Sequence, residues 1–174
     1  MIIWLSGPYG VGKSTLARTI QGKLDNCILF DAEKVGDAIR DNYPEEFFQE
    51  IYEDYPLWCE TCRKLLADLE SKMNGTILVP MTLLRPQSLR TILAPLKGQG
   101  IIAIHVILTA EPETLRHRIL ARGEEENCWC MKKIPQCLSV QKDIPCDLRL
   151  DTTGKSLDRL AEEIFTAMKA ETMH

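Results

Sequence analysis

The chain has no surplus of positive charge. Its 21 Lys and Arg stand against 25 Asp and Glu, for a net charge of −4. A general nucleic-acid binder needs the opposite balance to hold phosphate backbones, so no nucleic-acid partner is expected. Long hydrophobic runs are missing too. The longest, IIAIHVILTA at 101–110, is too short to cross a bilayer and contains His105, so no membrane span is expected. The first residues carry neither a basic region nor a small-residue cleavage site, and a secretory signal is not expected. An even cysteine set is lacking as well. Seven cysteines without an export signal fit reduced thiols in a cytoplasm better than a disulfide framework. Repeats, low-complexity tracts and linkers are absent, so 174 residues read as one domain over 1–174.

What is present suits an α/β fold. Apolar residues make up 45% of the chain, enough for a sizeable core. Short apolar runs at 1–6, 27–30, 76–84, 101–108 and 146–153 read as strands, with Pro80 ending the pairing of the third or placing it at an edge. Between them, helical periodicity covers 13–24, 33–42, 45–72 with a break near Pro56, 88–100, 111–122 and 156–171. The stretch 123–146, of mixed polarity with several Cys and Pro, reads as a mobile insert. Alternating strands and helices predict a parallel sheet covered on both faces, a three-layer domain.

The strongest chemical signal is GPYGVGKST at 7–15, where Gly7, Gly12, Lys13 and Ser14 satisfy G-x-x-x-x-G-K-[ST] between a strand and a helix. Glycines let consecutive backbone N–H groups turn toward phosphate oxygens, and the next helix adds the positive end of its dipole. Lys13 bridges the outer phosphates of a nucleotide in this arrangement, and the Ser14 hydroxyl completes a magnesium shell. A nucleotide and Mg2+ are therefore the expected ligands. Glycines at 7, 10 and 12 do not give the dinucleotide spacing G-x-G-x-x-G.

Other candidates follow from phosphoryl-transfer chemistry, which needs positioning and charge neutralisation. Asp31, at the carboxyl end of the second strand, reads as a proton acceptor or magnesium partner, with Glu33 close behind, and equally as an N-cap of the next helix. Arg118 and Arg122, four apart on one helix face, read as a clamp on the transferring phosphoryl group, or as a solvated face paired with Glu113, Glu124 or Glu125. Lys132 and Lys133 read as a solvated charge pair. Six of eleven aromatics fall at 43–58: Tyr43, Phe47, Phe48, Tyr52, Tyr55 and Trp58. They read as a wall for a planar or apolar acceptor, or as helix packing. Arg40 and Arg85 are the nearest candidates for a polar part of that acceptor. A zinc site from CETC at 59–62 and CWC at 128–130 is discounted, because the first pair sits inside a helix. His105 reads as a core histidine, and the closing stripe of Leu157, Leu160, Ile164, Phe165 and Met168 as sheet packing.

In order, MIIWLSGPYGVGKST, FDAEKVGDAIR, DYPLW and ILVPMTLL resemble the tunicamycin-resistance protein family, from Met1 to about residue 165. That family is similar to the small P-loop kinases, among them adenylate, gluconate and shikimate kinases and chloramphenicol phosphotransferase. The resemblance implies a five-stranded sheet in the order 2-3-1-4-5, an acceptor-binding helical region at about 33–72 and a lid at about 123–145. It implies ATP and magnesium on Gly7, Tyr9, Gly10, Val11, Gly12, Lys13, Ser14 and Thr15, with Thr152 and Thr153 near the adenine. Catalytic roles would fall to Lys13, Asp31, Arg118 and Arg122, while the reading of the residues themselves assigns acceptor contacts to Glu33, Arg40, Tyr55, Trp58 and Arg85. The implied substrate is a small molecule such as a nucleoside antibiotic, phosphorylated or merely held, since resistance follows from either. A nucleotide or metabolite kinase is a third reading. ILVPMT lacks the Asp that such kinases carry at the end of this strand, so the magnesium shell would rest on Ser14, water and Asp31.

Overall fold

The computed structural model describes residues 1–172, and everything structural below refers to these. Five strands, β1 (Ile2–Ser6), β2 (Cys27–Leu29), β3 (Thr76–Val79), β4 (Ala103–Thr109) and β5 (Leu148–Asp151), form one sheet in the order β2-β3-β1-β4-β5. All four pairings are parallel. The expected α/β fold and strand order are what the chain adopts.

The central strand shows why the sheet is covered twice. Along β1 every residue is buried, as expected of a strand with helices on both faces. Ile3 and Leu5 join a core with Leu16, Ala17 and Ile20 of α1 (Lys13–Gln21) and Leu160, Ala161 and Ile164 of α8 (Leu157–Thr172). Ile2 and Trp4 point the other way, into a core with Ile39 of α2 (Ala32–Asn42) and Trp58, Cys62 and Leu66 of α3 (Pro56–Lys72). Leu160, Ile164, Phe165 and Met168 of the stripe on α8 are therefore sheet packing, while Leu157 is exposed.

Several boundaries differ from the sequence reading, mostly around proline. β3 ends at Val79 rather than running to 84. Pro80 has no N–H to continue the ladder, and residues 80–85 leave the sheet across the ends of the strands. There the Met81 carbonyl accepts the Trp4 indole N–H at 2.7 Å and the Leu83 N–H donates to Ser6 Oγ at 3.2 Å. Pro56 does not interrupt a helix but opens one, at the position where a missing N–H costs nothing. Before it, 45–54 forms two short 3-10 turns, Glu45–Phe47 and Tyr52–Asp54. The helix expected at 88–100 is two, α4 (Pro86–Thr91) and α5 (Leu93–Gly98), since Pro95 cannot donate to the Thr91 carbonyl. After α6 (Pro112–Leu120), the stretch read as an irregular insert contains a helix, α7 (Trp129–Val140), despite Pro135 within it. Met131, Ile134 and Cys137 recur on one side of α7 and are buried.

Candidate functional site

The turn after β1 has the geometry of a phosphate cradle. Gly12, the residue before α1, sits at φ 99°, a left-handed conformation that favours glycine. A Cβ there would meet nothing within 4 Å, so this backbone faces open space. Gly7 is needed for the opposite reason: a side chain would strike the Leu108 carbonyl of β4. The first-turn amides of α1 have no carbonyl one turn back to bond, and they open into the same space. Lys13 Nζ donates to the carbonyls of Gly7 at 2.8 Å and Pro8 at 3.1 Å. Burial lowers its pKa to about 8, so a nearby anion would strengthen its charge.

This cradle lines a first cavity of about 590 Å³, bounded by Lys13, Ser14, Thr15, Arg118, Arg122 and Thr152. Tyr9, Gly10, Val11 and Gly12 complete the loop side. Gly7 lies behind the loop, against β4. Thr152 lines this space; Thr153 does not, its hydroxyl instead accepting the Glu111 N–H at 3.2 Å, while Lys155 takes the place expected for it. Arg118 and Arg122 share the cavity but have separate surroundings. Arg118 is fixed by bonds to the Val11 carbonyl (3.2 Å) and to Thr152 (2.9 and 3.0 Å). It thus joins the loop to the turn after β5. Arg122 donates through Nε to the Arg118 carbonyl at 3.4 Å.

A second cavity of about 540 Å³ opens beside the first, and Tyr9, Glu33, Met81 and Thr82 line both. Its other walls come from α2, residues 50–53, residues 84–85 and α7. Of the two readings of Asp31, the N-cap is the one the structure shows. Asp31 lines neither cavity; its Oδ1 accepts the Glu33 N–H at 3.1 Å and caps α2, while its other oxygen lies 3.8 Å from Lys34. Glu33, one position into the helix, is the carboxylate between the two cavities. Burial first, then Asp31, raises its pKa above the usual carboxylate range, while Lys13 opposes the shift.

Arg40 and Arg85 do line the second cavity. Tyr55 and Trp58 do not. Trp58 is completely buried, its indole donating to the Ala32 carbonyl at 2.8 Å and packing edge-on against Trp4 at 6.4 Å. Tyr55 is buried and accepts the Gln49 N–H at 2.7 Å. Both hold α3 and the preceding turns on the sheet. Of the six clustered aromatics only Tyr52 reaches the cavity.

Several lining residues were missed or set aside on sequence: Asp37, Glu50, Thr82, Trp129 and Lys133. Asp37 was findable, four after Glu33 on one helical face. Lys133, dismissed as solvated, contacts Glu50 at 2.6 Å. Trp129 stacks edge-on against Tyr9 at 5.0 Å, so α7 meets the phosphate loop directly. His105 is a core histidine as expected. Its Nδ1 bonds the Pro145 carbonyl at 3.0 Å, which places the proton there and leaves Nε2 to accept the Ser6 hydroxyl at 2.8 Å.

Solved structures share this architecture. The tunicamycin resistance protein of Deinococcus radiodurans superposes with a TM-score of 0.78 at 24% identity, over 96% of this chain and 94% of that one. A gluconokinase from Sinorhizobium meliloti gives 0.70 at 16%, over 97% and 91%. Shikimate kinase from Aquifex aeolicus gives 0.59 at 15%, over 99% of each chain. At these identities the likeness is one of fold. No curated protein matches the chain by sequence. The family model described as AAA domain matches residues 3–131, from β1 through the phosphate loop and into α7. With its P-loop and parallel sheet, the chain belongs to that family.

Proposed function

We propose that this protein is a cytoplasmic small-molecule kinase that transfers the γ-phosphoryl group of ATP to a hydroxyl. One observation carries the reading: the phosphate-loop cavity and the second cavity share a wall at Tyr9, Glu33, Met81 and Thr82. A donor in the first and an acceptor in the second would meet beside Lys13 and Glu33. The acceptor oxygen bonds to the γ-phosphorus as the bond to the bridging oxygen breaks and ADP leaves. The hydroxyl proton passes to Glu33, whose pKa burial and then Asp31 raise, making it a stronger proton acceptor than an exposed carboxylate. Lys13 and Arg122 offset the charge of the transferring group. Arg118 fixes the loop and Asp31 the start of α2, which makes both positioning residues. Magnesium, when bound, neutralises phosphate charge, and the Ser14 hydroxyl is the side chain placed to hold it. The region 33–72 supplies one wall of the acceptor side, and 123–145, carrying α7, acts as its cover. Seven free thiols suit a reducing cytoplasm.

A nucleoside antibiotic such as tunicamycin is the acceptor we test first, on the strength of the sequence resemblance. The protein is incubated with ATP, magnesium and tunicamycin, ADP release is followed, and the antibiotic is weighed by mass spectrometry, with Lys13→Ala as blank. One phosphoryl group gained, absent from the blank, establishes the kinase. Saturable binding of both ligands without gain makes the protein an ATP-dependent trap, and the missing acid at the end of β3 is the feature that favours this second reading.

A further inference from the structure

The second cavity contains three cations, and each already has a partner. Lys133 Nζ lies 2.6 Å from Glu50, and Arg85 lies 3.2 Å from Asp54. Arg40 donates to the Gln49 carbonyl at 2.9 Å and is held against the rings of Tyr52 and Phe48, at 4.8 and 5.8 Å. Against these stand four carboxylates on the same walls: Glu33, Asp37, Glu50 and Glu53. Glu53 is occupied by the amides of Leu84 and Arg85, at 2.8 and 2.9 Å. Glu33 and Asp37 lie one helical turn apart on α2. Asp37 accepts the Tyr52 hydroxyl, and no lysine or arginine forms an ion pair with either carboxylate among the described residues. Ile51, Met81, Leu84 and Val140 make the remaining wall apolar.

An anion entering this space meets Glu33 and Asp37 and has to take Lys133 or Arg85 away from its carboxylate, or Arg40 away from the Gln49 carbonyl and the two rings. A hydroxylated, uncharged molecule meets two hydrogen-bond acceptors and an apolar surface. We infer that the acceptor cavity selects a hydroxylated compound lacking phosphate, sulfate and carboxylate groups, with Glu33, Asp37 and the Lys133–Glu50 pair as the determinants. The inference rests on reading the second cavity as the acceptor site.

The test is calorimetric binding to the full chain with the first cavity saturated by ADP. The probes are matched pairs: uridine and uridine monophosphate, adenosine and adenosine monophosphate, sorbitol and gluconate. A neutral member should bind at least about tenfold tighter than its anionic partner, as expected when like charges are brought together in a confined site. Glu50→Gln releases the Lys133 ammonium and should narrow that gap, whereas Lys133→Met should widen it. Both side chains lie at the cavity surface, and thermal melting confirms that each variant is folded. Tighter or equal binding of the anionic members, an unchanged ratio in both variants, or no binding by any neutral member overturns the inference. Failure of phosphoryl transfer alone would count against the kinase reading and leave this selectivity standing, because it is read from binding.

Discussion

The two cavities are built by different means. The phosphate cradle of the first is made largely of backbone: a left-handed Gly12, the opening amides of α1 and a lysine bonded to carbonyls of its own loop. That cradle comes from nine consecutive residues, 7–15, while Arg118, Arg122, Thr152 and Lys155 are among those that complete the cavity. The second is made of side chains from α2, 50–53, 81–85 and α7, spread over more than a hundred residues. A backbone site tolerates few sequences and so writes a motif. A side-chain site is specified only when distant segments meet, and its chemistry is set by which charges end up paired.

The sharpest way to break this comparison is at Glu33, where the two sites join. Glu33→Gln should lower kcat by roughly 10²–10⁴-fold if it takes the proton, with nucleotide affinity largely kept. The wild-type rate should fall with acid at a pH above the ordinary carboxylate range, as its raised pKa dictates, and that limb should disappear in the variant. A loss confined to acceptor affinity would move Glu33 from proton acceptor to ligand.

Trp58→Ala separates packing from binding on the acceptor side. Because the indole is fully buried against Trp4, truncation should cost roughly 3–5 kcal/mol in urea unfolding. An unchanged unfolding midpoint with weakened acceptor binding would restore it to the cavity.

The sheet beneath both cavities has its own pH response. His105 is buried and neutral, and burial lowers its pKa to about 4 from the usual 6.5. The unfolded chain therefore binds the proton more readily, so stability is complete above about pH 6.5 and declines as pH falls toward 4. The loss approaches about 3 kcal/mol at one unit of pKa per 1.4 kcal/mol. Unfolding midpoints at pH 7 and pH 4.5 measure it; no decline traceable to this residue would show that the Ser6 and Pro145 bonds accept the charged ring.

The smallest effect should come from Asp31→Asn. Asparagine caps a helix as well as aspartate, so stability should change by only a few tenths of a kcal/mol and turnover by less than about tenfold. A collapse of turnover here, with Glu33→Gln active, would exchange the roles assigned to the two carboxylates.

Much of the fold was legible because parallel strands buried on both faces read as unbroken apolar runs, as IIWLS and AIHVILT do. The phosphate loop was legible because its constraint is local. Errors gathered where prolines changed meaning with position: Pro56 opens a helix, Pro95 divides one and Pro135 stays inside α7, whereas Pro80 ends the pairing of β3 as read. Trp58 was misplaced because an aromatic in a cluster carries no mark of which way it faces. Met131, Ile134 and Cys137 were the available sign of α7, obscured by the proline between them.

The sequence alone determined that the chain builds a phosphate-loop turn between β1 and α1, since Gly7, Gly12, Lys13 and Ser14 act through bonds spanning a few residues. Only the tertiary structure decided that Glu33 rather than Asp31 faces the cavities, and that Lys133 is spent on Glu50. Those outcomes depend on a two-residue difference in position at the start of α2 and on a contact between residues 83 positions apart, and neither is encoded in a short stretch of chain.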